Sequence, residues 1–333
     1  MRINQLHLYF SLLAGYFFFS ANIAHAQQDP MYTNYMFNKL VYNPAFTGSN
    51  PEFICMTFLY HNQWLGFGGD NEYQGIAPQT QTFSIHAPIP GSNFLGGAGF
   101  YVINDKHGFE SRTTANFTLS LKKYFSFGTI QVGANVGGIQ SAFDGVWKPP
   151  DNPNDPGIPV NASDIKPDLG LGMYVFTANK FYVGISSQHL LGGEFNYGGP
   201  TNKLVRQSYV VAGYNLLLPA NPDIEIQPSI LYKIDKAKQQ FDVNCNVTYK
   251  NKFYGGLNYR QGSPAADISL LLGMRLTPQL TFGYSYDLTT TRILNYSTGS
   301  HEVVFNYCFK IVTKTKVVIP NIIWSPRYLK PYN

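Results

Sequence analysis

The sequence predicts an all-β chain folded as a transmembrane antiparallel β-barrel of about fourteen strands, with a short N-terminal helical segment and a C-terminal tail. Three observations carry this reading. Apolar and polar residues alternate with period two through most of the chain, as in strands with one face in lipid and one facing a polar interior. Aromatic residues make up 16% of the sequence and charged residues only 13%, about half the charged fraction usual in soluble domains. Beyond the first 26 residues, no run reaches the roughly 18 apolar residues that a membrane helix needs. A water-soluble sandwich is the competing architecture, and aromatic girdles around a lipid-facing band fit the composition better.

Residues 1–26 read as a secretory signal peptide. Arg2 supplies the positive end, residues 6–19 the apolar stretch and Ala24-His25-Ala26 the small-x-small cleavage site, so that Gln27 begins the mature chain. An uncleaved helical anchor is the alternative. Residues 27–52 form an N-terminal periplasmic or plug segment. Asp29-Pro30 suits a helix start, because the carboxylate can cap free N–H groups and Pro at the first helical position loses no bond. A helix from Pro30 to about Leu40, stopped by Asn43-Pro44, is therefore expected. Its Tyr32, Tyr35 and Phe37 are interleaved with Asn34 and Asn38. That mixture suits a lumen plug or a grip on a periplasmic partner, and equally a clamp against the inner wall.

Residues 53–310 are the barrel. The clearest strand is 240–250, with Phe241, Val243, Cys245, Val247 and Tyr249 on one face and Gln240, Asp242, Asn244, Asn246, Thr248 and Lys250 on the other. Comparable segments fall near 53–64, 79–87, 95–105, 110–125, 127–142, 167–178, 180–190, 203–218, 222–234, 239–250, 252–261, 265–277, 279–289 and 300–310. Connection lengths split into a long class (65–78, 143–166, 191–202, 290–299) and short turns around Ser126, Asn179, Asn251 and Pro278, as expected of outer loops and periplasmic turns. Three outer connections, near Asp105, Asp235 and Gln261, are short. An even strand count in this phase leaves both termini periplasmic. The Pro-rich stretch 147–168 reads as an exposed loop rather than a strand, a linker between two domains being the alternative. Residues 311–333 form a basic tail, with Lys314, Lys316, Arg327 and Lys330. It is either a disordered end or a surface that docks a periplasmic partner or anionic headgroups.

Charges at Glu225, Asp242, Arg260, Asp267, Arg275, Asp287 and Glu302 fall on the lumen parity. Facing lipid at the midplane, Arg or Lys would cost about 2–4 kcal/mol. Their mixed signs favour an ion-paired, closed interior over a charge-selective pore. Cys55, Cys245 and Cys308 read as small apolar wall residues. His301-Glu302 invites acid-base chemistry, but neighbours in a strand face opposite ways. The histidines lack metal-ligand spacing, so neither enzyme nor cofactor is expected, and the modest charge of +5 is not the footprint of a nucleic-acid binder.

Two stretches are more specific. Residues 28–38 (Gln-Asp-Pro-Met-Tyr-Thr-Asn-Tyr-Met-Phe-Asn) are followed by Asn43-Pro44-Ala45-Phe46-Thr47-Gly48. Further on come Gln63-Trp64, the run Gly96-Gly97-Ala98-Gly99, Gly283-Tyr284-Ser285-Tyr286-Asp287 and Gly299-Ser300-His301-Glu302. In that order they resemble the PorP/SprF family of type IX secretion and gliding-motility proteins of Bacteroidota. The chain departs from the family pattern at His61, where an Arg is expected, and in its longer tail. The resemblance implies a non-enzymatic outer-membrane barrel that helps export or anchor a large surface protein, holding a cargo's C-terminal signal domain. It also implies a periplasmic peptidoglycan-associated partner. The alternative from residue chemistry is an outer-membrane transport channel for small or hydrophobic molecules.

Overall fold

A computed structural model describes residues 29–67, 77–92, 94–143, 162–177, 180–197, 201–235, 238–262 and 266–311. The expected signal peptide and all but the first residue of the expected tail lie outside the described residues, as do residues 147–161 of the Pro-rich loop. No helix among the described residues is long and apolar enough to cross a membrane.

The wall is built from β1 (Phe53–Asn62), β2 (Gln79–Pro88), β3 (Leu95–His107), β4 (Glu110–Phe125), β5 (Gly128–Phe143), β6 (Ala162–Thr177) and β7 (Phe181–Gln188). Strands β8 (Gly193–Asn196) and β9 (Thr201–Leu204) then form a separate hairpin. The wall resumes with β10 (Gln207–Tyr214), β11 (Leu216–Leu218), β12 (Asn221–Ile234), β13 (Gln239–Tyr249), β14 (Phe253–Gln261), β15 (Asp267–Arg275), β16 (Leu280–Thr289) and β17 (Ser300–Lys310). Each wall strand pairs antiparallel with its neighbours in the ring, and β1 pairs with β17, from Phe53 opposite Lys310 to Asn62 opposite His301. Because β10 and β11 both pair with β12, they are one strand interrupted at Asn215, and the ring closes with fourteen strands. Closure leaves no edge with unpaired N–H and C=O groups, which is what permits a sheet to sit in hydrocarbon.

The alternation is realised side chain by side chain. Along β13, Phe241, Val243, Val247 and Tyr249 are exposed while Gln240, Asp242, Asn244, Asn246 and Thr248 are buried. Along β15, Ile268, Leu270 and Leu272 face out while Ser269 and Leu271 face in. A ten-residue strand is about 33 Å long, and at a tilt near 40° it covers about 25 Å, the height of an outer-membrane apolar band.

All the long connections fall on one rim, which also carries short ones after β3, β12 and β14. The connections after β1, β5 and β16 are long and the one after β7 carries the hairpin, whereas β2–β3, β4–β5, β6–β7, β11–β12, β13–β14 and β15–β16 are joined by short turns. The two rims are therefore a long-loop end and a short-turn end.

Three expectations are corrected. Strand β6 begins at Ala162, inside the stretch read as loop, and passes through Pro167 opposite Gly138. The long helix from Pro30 does not form: residues 33–37 make tight turns and only Lys39–Tyr42, here α1, is α-helical. The backbone N–H groups of Thr33 and Asn34 are taken by Glu302 of β17, so tertiary acceptors displace the helical ones. Cys55 and Cys308 are not free wall residues but a disulfide joining β1 to β17 across their short-turn ends. Only Cys245 is free, on the outward face. Lys310 ends at the short-turn rim, and Asp29 stands near the opposite rim, beside residues that close β7 and β12 and open β10.

Candidate functional site in the barrel lumen

Fourteen strands enclose more space than wall side chains fill, since eight already give an interior just wide enough to be packed. Residues 29–50 occupy that space. They contact β1, β2, β4, β6, β7, β10, β12, β14, β16 and β17. Only a segment inside the ring can touch so many of its strands. The chain descends from the long-loop end at Asp29 to the short-turn end, where β1 starts.

The upper contacts are ionic. Glu302 accepts from Thr33 N–H at 3.0 Å, from Asn34 N–H at 2.6 Å and from Asn34 Nδ2 at 2.9 Å. Thr33 Oγ1 donates to Asp287 at 2.7 Å. Arg260 donates through Nε to Asp242 at 2.6 Å and through Nη2 to the Tyr32 carbonyl at 3.1 Å, with Asp287 3.9 Å away. Thus Asp242, Arg260, Asp287 and Glu302 meet around the Tyr32–Asn34 turn. Hydrogen bonds to charged groups contribute about 1.5–3 kcal/mol each. The other expected lumen charges are also buried on the inner face: Asp267 opposite Arg260 in the ladder, Arg275 at the short-turn end of β15 and Glu225 low on β12.

Asp29 anchors the segment's other end. Its carboxylate accepts from His189 Nε2 at 2.9 Å and from the Tyr209 hydroxyl at 2.6 Å, and its carbonyl accepts from Lys233 Nζ. His189 Nδ1 is 2.8 Å from Asp168, which also accepts from Asn116 at 2.7 Å. Asp29 and His189 both lie outside the spanning strands. Burial pulls the imidazole down, but the Asp29 and Asp168 carboxylates outweigh it and push His189 up to about 10. Burial raises the Asp29 carboxyl, yet His189, Lys233 and Tyr209 together hold it well below the usual range. A protonated His189 therefore bridges two carboxylates. Beside it, among Asp29, Pro30, Tyr32, Tyr101, Gln188 and Tyr209, is a cavity of about 20 Å³, room for about one water molecule.

Below, carboxylate contacts give way to neutral hydrogen bonds and aromatic rings. Tyr35 is fully buried and its hydroxyl bonds Ser229 at 2.7 Å, Phe37 lies 5.5 Å from Tyr254, and Asn38 bonds Ser84 at 3.1 Å. Lys39 Nζ sits 4.1 Å from the centre of the Tyr182 ring. Asn43 caps the 3-10 turn Pro44–Phe46 by accepting from Ala45 N–H at 2.9 Å, and its Nδ2 donates to the Met173 carbonyl at 2.9 Å. This turn sits on a glycine floor: a Cβ on Gly133 would come 2.5 Å from the Pro44 carbonyl oxygen, and one on Gly172 would come 2.1 Å from Asn43 Oδ1.

The sequence reading missed Thr33, His189, Asp168, Lys233 and Tyr209. Asp168 and Lys233 do lie on the inner parity of β6 and β12, so extending the lumen set to all charges would have found them. The cysteine pair was also accessible: closing a barrel makes the first and last strands neighbours, and each cysteine lies two residues from its strand's short-turn end. His301 faces away from Glu302, with its Nδ1 2.7 Å from the Tyr284 hydroxyl.

A closed, edge-free barrel with an apolar outer wall and a charged, occupied lumen defines the class: an integral outer-membrane β-barrel protein. The sequence profile of the PorP/SprF type IX secretion system membrane proteins matches residues 24–307, and the chain belongs to that family. No curated protein matches the chain. Among solved structures, the Ralstonia pickettii toluene transporter TbuX is similar at 9% identity with a TM-score of 0.51, covering 83% of this chain and 94% of the transporter. A Pseudomonas aeruginosa FadL homologue (11% identity, TM-score 0.46, covering 84% and 94%) and Acinetobacter baumannii Omp33 (8%, 0.42, covering 78% and 99%) are also similar. At these identities the likeness is one of barrel fold.

Proposed function

We propose that the chain is a non-enzymatic accessory barrel of the type IX secretion and gliding machinery, closed by its own N-terminal plug, that binds an exported cargo protein at its long-loop face. Residues 29–50 are the plug, and the single observation that carries the reading is their bonding to the inner wall from Asp29 to Thr47. A lumen so occupied offers no continuous path, and the rigid ring leaves the long loops as the variable recognition surface. Family membership supports a secretion role, and the cargo's C-terminal signal domain is the part we assign to the loops. Short turns lie in the periplasm, where the rim and the tail that follows β17 meet a peptidoglycan-associated partner. The alternative, a channel for small or hydrophobic molecules, draws support from the transporter-like barrel fold, but the charged inner face is a poor lining for an apolar solute. Two measurements test the proposal. Purified protein in planar bilayers should show no steady conductance, and a sustained current would overturn the closed lumen. Deleting the gene should remove particular large proteins from the cell surface, and an unchanged surface proteome would overturn the secretion role.

A further inference from the structure

Lysines stand at both rims. At the long-loop end, Lys166 pairs with Asp164 and Lys203 with Glu194, both at 2.9 Å. At the short-turn end three stand over aromatic rings. Lys123 lies 5.5 Å from the Phe125 ring centre, Lys250 5.4 Å from Tyr249 and Lys252 5.4 Å from Phe253. All three rings are exposed on the wall, and Phe127 stacks on Phe125 at 5.5 Å. None of these three lysines forms an ion pair among the described residues, although Asp223 is exposed next to Lys250 in the ladder.

A ring at this level sits at the edge of the hydrocarbon, and an ammonium held over it reaches the headgroup layer with its charge unneutralised by protein. The positions are also distributed. Going round the ring, β6, β7, β10 and β12 separate the β4–β5 turn from the β13–β14 turn, β15 and β16 separate the latter from β17, and β1, β2 and β3 complete the circuit. Lys310, at the end of β17, is 3.5 Å from Glu52 and so contributes less.

We propose that this rim binds the phosphate groups of anionic phospholipids in the leaflet facing the short turns, with Lys123, Lys250 and Lys252 as the cations that hold them. The leaflet assignment rests on the sidedness given under Proposed function; the lysine chemistry does not. The experiment uses the full chain in nanodiscs of equal phosphatidylglycerol and phosphatidylethanolamine, followed by native mass spectrometry of the lipids that stay bound after delipidation. Each lysine near an anionic surface is expected to strengthen binding about fivefold, so the triple variant K123Q/K250Q/K252Q should lower phosphatidylglycerol enrichment by at least about tenfold, and the corresponding triple Arg variant should keep it. Equal enrichment in parent and Gln variant overturns the proposal. Should the Gln variant fail to fold, the parent alone decides: raising salt from about 0.1 to 1 M shortens the screening length from about 10 to 3 Å and should erase the enrichment, and salt-insensitive enrichment overturns it. Lipid A retained in preference to phosphatidylglycerol in a third nanodisc would overturn the leaflet and leave the sidedness reading wrong, while the two phospholipid arms still report on the lysines.

Discussion

Replacing Glu302 with Ala should unseat the upper half of the plug without dissolving the barrel. Three donors, Thr33 N–H, Asn34 N–H and Asn34 Nδ2, lose a charged acceptor at once. At about 1.5–3 kcal/mol for each bond to a charged group, and with two of the three sharing one oxygen, the expected loss is about 3–6 kcal/mol. Since about 1.4 kcal/mol is tenfold in an equilibrium, the population with a released turn should rise by two to four orders of magnitude. Arg260 keeps Asp242 and Asp287, so no cation is stranded and the wall ladder of β17 is untouched. Glu302→Gln retains one acceptor oxygen and should fall between parent and Ala. The assay is limited proteolysis of the reconstituted protein, with cleavage near Tyr32–Tyr35 read by mass spectrometry, alongside single-channel recording. An Ala variant as resistant and as electrically silent as the parent would refute the claim that Glu302 holds the plug.

Three further outcomes follow from the same architecture. The Asp29–His189 pair contributes fully where His189 would be protonated and Asp29 ionised even in the unfolded chain, between about pH 3.8 and 6.5; its His189 part is lost as pH rises from 6.5 through about 10, and its Asp29 part only as pH falls below 3.8 toward the lowered carboxyl value. Protection of the segment at Asp29 from protease should therefore decline on the alkaline side, and His189→Gln should flatten that decline. Cys55→Ser or Cys308→Ser releases a closure spanning 253 residues, about 5 kcal/mol on the chain-entropy account, and should lower the temperature at which the barrel loses its compact mobility in detergent gels. Gly133→Val places carbon against the Pro44 carbonyl and Ala45 Cα, 2.5 and 2.6 Å from the new Cβ, so hydrogen exchange around Asn43–Thr47 should accelerate while the strands stay protected.

The wall was legible because strand parity is a local property: Phe241 through Tyr249 declare their face without reference to any other strand. Loop lengths added the phase. What stayed hidden depends on partners distant in sequence. Asn34 and Tyr35 read as helix residues because nothing nearby announces Glu302 or Ser229, 268 and 194 positions away. Asp29 looked like a helix cap for the same reason, and its imidazole partner follows β7. Glu302 and Arg260 could be placed in the lumen from parity, but that they converge on a backbone turn rather than on one another needed the fold.

The direction in which the N-terminal segment runs constrains assembly. Its first described residue is at the long-loop mouth and its last joins β1 at the opposite rim, while Cys55–Cys308 welds the final strand to the first. A hoop cannot be welded around an absent core and then receive it sideways. Either the segment is already in place when β17 meets β1, serving as the mandrel on which the cylinder is rolled, or its free end is drawn lengthwise through the finished tube. Oxidation of the cysteine pair marks the moment after which only the second route is open.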